Sequence, residues 1–300
     1  MTQPRVLRCY GDGHLAIVSN DQPRIDIDPV LPSKEDARDQ AIGALPAAFV
    51  LLTHGGTEAL DDALDLLEVK PESVLVASAG LCDRASESLD LDDRLVDLAD
   101  WDRVRFAGAR VTGLPPVRGG LPGLGSLPGV ESLPDPRSML SSASDALGRA
   151  LEALPAVGNL ARQGEGLLGG GLLGGGLLGG GLLGGGHRRP LHIAFEGGPS
   201  VLFAADNLAG GPADSWLDSL ADELDVDLLV AAVAGDRVEG LVHAVRTLAP
   251  TRVLLYRDHD PYEGKSRSLP IDRFVAALKE DQPELSVATL RAGDEVVLSG

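Results

Sequence analysis

Aromatic and sulfur-bearing side chains are scarce in this chain. Five Phe, three Tyr and two Trp make up only 3% of its 300 residues, so any core has to be built from Val, Leu, Ala and Ile. Two cysteines, Cys9 and Cys82, exclude a disulfide scaffold and predict two buried or half-buried thiols in a reducing compartment. Lysine is nearly absent, with 4 Lys beside 22 Arg. Positive charge as a whole is outweighed, 26 Lys plus Arg against 45 Asp plus Glu, for a formal net charge of -19. A field of that sign repels phosphate backbones and anionic headgroups, which argues against nucleic-acid and acidic-membrane partners. No window holds the roughly 18 uninterrupted apolar residues of a transmembrane helix, and the N-terminus lacks the apolar stretch of a secretion signal. The expected location is therefore the cytoplasm. What is present is a hydrophobic fraction of 44%, enough for a real core. Asp outnumbers Glu 30 to 15, and with so little Lys the composition resembles that of proteins adapted to high salt, whose acids are mostly a solvent coat.

One segment differs chemically from the rest. Residues 113–186 hold 22 of the 38 glycines and 7 of the 20 prolines. Within it Leu-Leu-Gly-Gly-Gly occurs four times in succession over 167–186. A period of five matches neither the helix nor the strand repeat, so no face accumulates the leucines, and the tract reads as a flexible linker. One helix is expected ahead of it over 138–154, with Leu140, Leu147, Leu151 and Leu154 on one face and Pro155 as its stop. The chain thus divides into 1–112, an insertion over 113–189, and 190–300.

The flanks alternate between strand and helix patterns. Short strands are expected at 6–10, 15–19, 24–27, 49–53, 73–77, 104–106 and 110–112, with helices after 53 and over 81–98. After the insertion, 191–195 and 201–204 read as a hairpin. Strands at 228–233 and 253–256 then alternate with helices beginning near Asp214, Val238 and Pro270. Two similar halves in this order predict a helix–sheet–sheet–helix sandwich, an αββα four-layer fold.

Gly13-His14 before an apolar strand, Ile27-Asp28-Pro29 after the next, and Leu51-Leu52-Thr53-His54 at a buried strand's end together resemble the metallo-β-lactamase fold superfamily. The likeness extends to its branch of L-ascorbate-6-phosphate lactonase and phospholipase D-like proteins. Val201-Leu202-Phe203-Ala204-Ala205-Asp206 resembles the strand that ends in a metal-bridging Asp, and Val253-Leu254-Leu255-Tyr256-Arg257 the last core strand, which normally ends in a ligand His. The family's metal motif is Thr-His-x-His-x-Asp-His, a strand-end loop that aims imidazoles and a carboxylate at two zinc ions. Here it reads Thr53-His54-Gly55-Gly56-Thr57-Glu58-Ala59, with Gly56 and Ala59 at two His positions and Glu58 at the Asp. The resemblance thus implies His54, Glu58 and Asp206 as remaining donors, while Arg257 at the last ligand position opposes a cation or pairs with Asp206.

Two functions compete on these residues. The first is a non-catalytic binding or scaffold module for a small molecule or protein, with the dinuclear site lost and no cofactor. The second is a hydrolase of a lactone, phosphoester or amide. It would use zinc or another divalent metal in a reduced mononuclear site of His54, Glu58, Asp206 and His259. His14, Asp28 and Arg257 are the expected pocket residues. Against these stand plainer readings: His14 as a strand-flanking turn residue, His259 as a solvated loop residue, Asp26 and Asp28 as turn formers before Pro29. Asp61-Asp62 and Asp92-Asp93 read as solvated helix faces, His243 as surface and His187 as linker. No Gly-x-Ser-x-Gly elbow or phosphate-binding Gly-x-x-x-x-Gly-Lys loop is present, so catalytic residues remain unassigned.

Overall fold

The computed structural model describes residues 4–11, 13–20, 22–46, 48–54, 57–106, 108–115, 189–205, 208, 214–233, 238–257 and 270–298. The helix expected over 138–154, the repeats of 167–186 and His187 lie outside them. In chain order the elements are β1 (Arg5–Gly11), β2 (His14–Val18), β3 (Arg24–Ile27), α1 (Glu35–Ala44), β4 (Ala48–Leu51), α2 (Thr57–Val69), β5 (Val74–Ala77), α3 (Ala79–Ser88) and β6 (Leu95–Asp97). There follow β7 (Arg103–Phe106), β8 (Ala109–Gly113), β9 (Leu191–Phe195), β10 (Ser200–Ala205), α4 (Asp214–Glu223), β11 (Leu228–Ala232), α5 (Glu239–Leu248), β12 (Arg252–Tyr256), α6 (Ile271–Asp281), β13 (Ser286–Leu290) and β14 (Glu295–Leu298).

The strands form two seven-stranded sheets, β14-β1-β2-β3-β4-β5-β6 and β13-β12-β11-β10-β9-β8-β7. Each has an antiparallel side, from β14 to β3 in one and β7 to β10 in the other, and a parallel side made of the remaining strands. Strands β1 to β6 therefore correspond in order and direction to β8 to β13, and β14 to β7. The repeat does not divide where the sequence halves were drawn: β7 and β8, which start within 1–112, belong to the second sheet. The edge strands differ in origin: β14, from the end of the chain, pairs with β1, whereas β7 pairs with its immediate successor β8 as a hairpin.

Burial explains why these residues form these strands. Leu7, Ile17, Ile25, Leu51 and Val76 of the first sheet pack against Val111, Ile193, Val201, Val230 and Leu254 of the second in one interlayer core. The opposite face of β4 and β5 (Val50, Leu75, Ala77) meets Leu60, Leu66, Leu67 and Leu81 of α2 and α3. On the second sheet Leu202, Leu229, Val253 and Leu255 meet Leu217, Leu220, Leu241, Val245 and Phe274 of α4, α5 and α6. Strands covered on both faces read as unbroken apolar runs, as in Leu228-Leu229-Val230-Ala231-Ala232, all buried.

The helix expected over 81–98 ends at Ser88. Residues 95–97 instead extend and pair in parallel with β5, and the Leu98 N–H donates to the Ala77 carbonyl at 2.8 Å. Leu81 lies under α3, while Leu98 belongs to the interlayer core. Helix α1 and strands β13 and β14 escaped detection because each is largely polar or small, with Leu290 the buried residue of β13 and Leu298 that of β14.

Leu254 is fully buried between the sheets. Leu254→Ala should lower unfolding free energy by about 2–5 kcal/mol in urea titrations, the range for a leucine deleted from a core that relaxes only partly.

Candidate functional site

The end of β4 carries the only motif-derived ligand whose side chain is described. Asp28, just past β3, has a left-handed backbone, φ 46°, a conformation that Asp tolerates better than most residues. It is held there because its N–H donates to the Leu51 carbonyl at 2.9 Å. The carboxylate then reaches across to the residue after β4. The Thr53 N–H donates to Oδ1 at 2.8 Å, and the Thr53 hydroxyl donates to Oδ2. His54 Nδ1 lies 3.3 Å from Asp28 Oδ1 and 3.5 Å from Thr53 Oγ1. The Thr53 proton is already committed to Asp28, so both neighbours of Nδ1 act as acceptors. In the neutral ring Nδ1 is therefore the protonated nitrogen and Nε2 the one with the lone pair, an orientation of the kind that carboxylate–histidine pairs impose on ligand or base histidines. The His54 side chain is 19% exposed.

His14 and Asp26 form a second polar group on the outer face of β1–β3, next to Asp28 in sequence. The Asp26 side chain is fully buried. It receives two bonds from Arg24, from Nε at 2.8 Å and Nη2 at 2.5 Å, and one from His14 Nε2 at 2.8 Å. Arg24 Nη1 also donates to the Tyr10 hydroxyl at 3.0 Å, and the Tyr10 ring stacks on His14 with centroids 4.6 Å apart. His14, 3% exposed, is thus a buried structural partner, not a flanking turn residue. Nor are the two aspartates turn formers alone: each carboxylate is a buried acceptor, Asp26 of His14 and Arg24 and Asp28 of Thr53.

Burial by itself pushes the Asp26 carboxyl up, but the bonds from His14 and Arg24 and the Arg24 charge outweigh it and hold the group below its usual 3.8. A depressed folded value means stability that is present above the ordinary carboxylate range and is lost as pH falls through the folded value. Asp26→Ala leaves Arg24 buried without a counter-charge. It should cost about 3–5 kcal/mol at neutral pH and flatten the stability-versus-pH curve below about pH 4, measured by denaturant titration across that range.

The remaining candidates fall as follows. Arg257 follows β12 and is exposed. The side chain of Glu58, together with Asp206 and His259, lies outside the described residues. Ala59 is buried in the apolar cluster under α2. Asp62, read as a solvated acid, is instead buried: it accepts the Leu31 N–H at 2.8 Å and lies 2.7 Å from Arg38, because the loop after β3 folds over α2. His243 sits on the surface of α5, 2.9 Å from Asp214. Cys9 and Cys82 are buried and free of disulfide, and burial, with Asp97 nearby, pushes the Cys82 thiol up to about 11, which makes it a poor nucleophile. Arg24 and Tyr10 were missed in the sequence. The signal was there in Arg24-Ile25-Asp26, opposite charges two apart on one strand face.

The described residues do not fit a dinuclear metal centre. Among them no group of three or more His, Cys, Asp or Glu side chains converges, and both oxygens of Asp28, the carboxylate beside His54, are engaged by Thr53. Zinc holds firmly only where four donors, or three and a water, converge.

No family model and no curated protein matches the chain. Solved structures do. CmlA, a diiron β-hydroxylase from Streptomyces venezuelae, superposes with a TM-score of 0.57 at 14% identity, over 100% of this chain and 55% of its own. An isothiocyanate hydrolase from Delia radicum gut bacteria gives a TM-score of 0.56 at 13% identity, over 98% of this chain and 100% of its own. The chain therefore spans about half the length of CmlA. At these identities the likeness concerns the fold alone. Both neighbours are metallo-β-lactamase-fold proteins, and the two facing mixed sheets with helices outside them give this chain the metallo-β-lactamase-like αββα fold.

Proposed function

We propose that the chain is a non-catalytic binding or scaffold module built on this fold. In this reading 1–112 and 190–300 together make the sandwich, 113–189 is an insertion, and the ancestor lay in the lactonase and phospholipase D-like branch. The observation that supports it best is the fate of the strand-end ligand positions. Ala59, at the motif's last His, contributes its methyl group to the apolar packing beneath α2. Arg257 brings a guanidinium to the end of β12, where the family places a histidine. A fixed cation there disfavours a metal ion and favours a carboxylate or phosphate oxygen. The occupant is a small anionic molecule or an acidic segment of a protein partner, met in the cytoplasm. The charge of -19 argues against nucleic acid.

A second reading rests on His54. Its Nε2 lone pair, set by Asp28, suits a metal-dependent hydrolase with a mononuclear site completed by Glu58, Asp206 and His259. Elemental analysis of untagged protein purified without chelator separates the two. The binding-module reading expects less than about a tenth of a metal ion per chain, and a His54→Ala variant that folds and hydrolyses lactones, phosphoesters and amides no differently from the parent. About one zinc, manganese or iron per chain, with hydrolysis abolished in His54→Ala, would replace it with the second.

A further inference from the structure

The apolar cluster under α4, α5 and α6 takes its sheet residues from β10, β11 and β12. Beyond it, the outward residues of β7, β8 and β9 are polar except Ala194. Register arranges them in two rows across the strands. Arg103, Thr112 and His192 make one, Arg110, Ala194 and Ser200 the next. These rows floor a cleft of about 290 Å³, and its far wall is Glu223, Asp225 and Asp227, between α4 and β11. The wall is knitted to the floor: the Ser200 N–H donates to Asp227 Oδ2 at 2.7 Å, and the Asp227 N–H donates to Ser200 Oγ at 3.0 Å. The cleft lies near the starts of β10 and β11, whereas the candidate positions Asp206 and Arg257 follow the ends of β10 and β12.

His192 marks what the cleft lacks. It is 3% exposed, and its Nε2 lies 3.1 Å from the Asp225 carbonyl. A carbonyl only accepts, so Nε2 carries the proton and Nδ1 is an acceptor. Nδ1 is buried with no partner, a state that ordinarily costs about 1–3 kcal/mol. Burial, reinforced by the charges of Arg110 and Arg103, holds the imidazole below its ordinary value against the opposing Asp225 carbonyl, so it stays neutral at pH 7.

Charge across the cleft is divided. Arg103 and Arg110 stand on the β7–β8 side, and Glu223, Asp225 and Asp227 on the other. The one cross-cleft ion pair is long, Arg103 to Glu223 at 3.8 Å, and Arg110 has no ion pair among the described residues. The repeat sharpens the point. On the equivalent strands β1–β3, Arg24 and His14 both converge on Asp26. On β8–β10 an arginine and a histidine stand on the corresponding face, and no outward residue of these strands is a carboxylate.

We propose that this cleft binds a small zwitterion carrying both an ammonium and a carboxylate, of the α-amino-acid class. The ligand carboxylate lies against Arg110 and Arg103. The ammonium faces Asp225 and Asp227 and donates to His192 Nδ1, supplying the missing partner. A simple anion meets the arginines but sets negative charge against three acids and leaves Nδ1 without a donor.

Calorimetric titration of the full chain tests this with glycine, L-serine, L-glutamate, L-arginine and L-phenylalanine, beside acetate, methylamine and inorganic phosphate. At least one amino acid should bind one-to-one with a Kd of about 1 mM or tighter, while acetate, methylamine and phosphate give no saturable heat up to about 10 mM. Arg110→Gln, at an exposed position, should keep the parent melting temperature and weaken the amino acid by about tenfold or more. His192→Phe should do the same where it folds; the Arg110 variant decides the matter if it does not. The proposal is overturned if no amino acid binds by about 10 mM, if phosphate or acetate binds as tightly, or if Arg110→Gln leaves the affinity unchanged.

Discussion

The parallel strands of both sheets have to be buried on two faces, and most of the molecule follows from that constraint. The interlayer core occupies the inner faces and helices cover the outer faces of the parallel strands, so β4, β5, β11 and β12 have no side on which a polar residue can reach water. This is why a chain with 3% aromatics folds in this way at all. Many short aliphatic strands stacked in four layers bury enough area without large rings, each methylene contributing about 0.8 kcal/mol. The same constraint sorts the polar groups. Those on the outer face of the antiparallel strands either satisfy one another, as Arg24, Asp26 and His14 do, or border a cleft.

At the end of β4 the fold orients a histidine through a carboxylate from the end of β3. Asp28 is in a left-handed conformation and bonded to the Leu51 carbonyl and to both donors of Thr53. Those bonds also tie β3 to β4, so Asp28 serves the sheet as well as His54. Ala59, in the first turn of α2, packs into the apolar cluster under that helix.

How much of this was legible follows from where the information sits. Buried strands such as β4, β5 and β11 announce themselves through apolar runs, and α2 and α4 through leucines at helical spacing, because burial dictates residue type. Helix α1 and strands β6, β13 and β14 lie at edges or carry one buried residue, so their neighbours, and not their own composition, define them. The motif at Thr53-His54 was visible as a pattern, but its Asp28 partner was not, since the bond joins residues 25 apart. Asp26 and His192 show the same limit. A polar residue inside an apolar strand signals a buried partner without saying whether that partner is a side chain or a ligand. The repeat separates the two cases, since Asp26 meets His14 and Arg24 while His192 meets only a carbonyl.

The chain's overall charge bears on which ligand its arginine-lined cleft admits. A net charge of -19 raises a barrier to any free anion approaching Arg103 and Arg110, and the barrier grows with ligand charge, so phosphate suffers it most. A zwitterion has no net charge and approaches without that penalty. Salt screens exposed charges over about 8 Å at physiological strength and over less at higher salt. Added salt therefore weakens the long-range barrier to anions before it weakens contacts made inside the cleft. If the acidic surface is an adaptation to high salt, selectivity has to come from short-range pairing, an ammonium against Asp225 and Asp227 with a carboxylate against the two arginines. Bipolar recognition of that kind does not depend on the long-range field that salt screens.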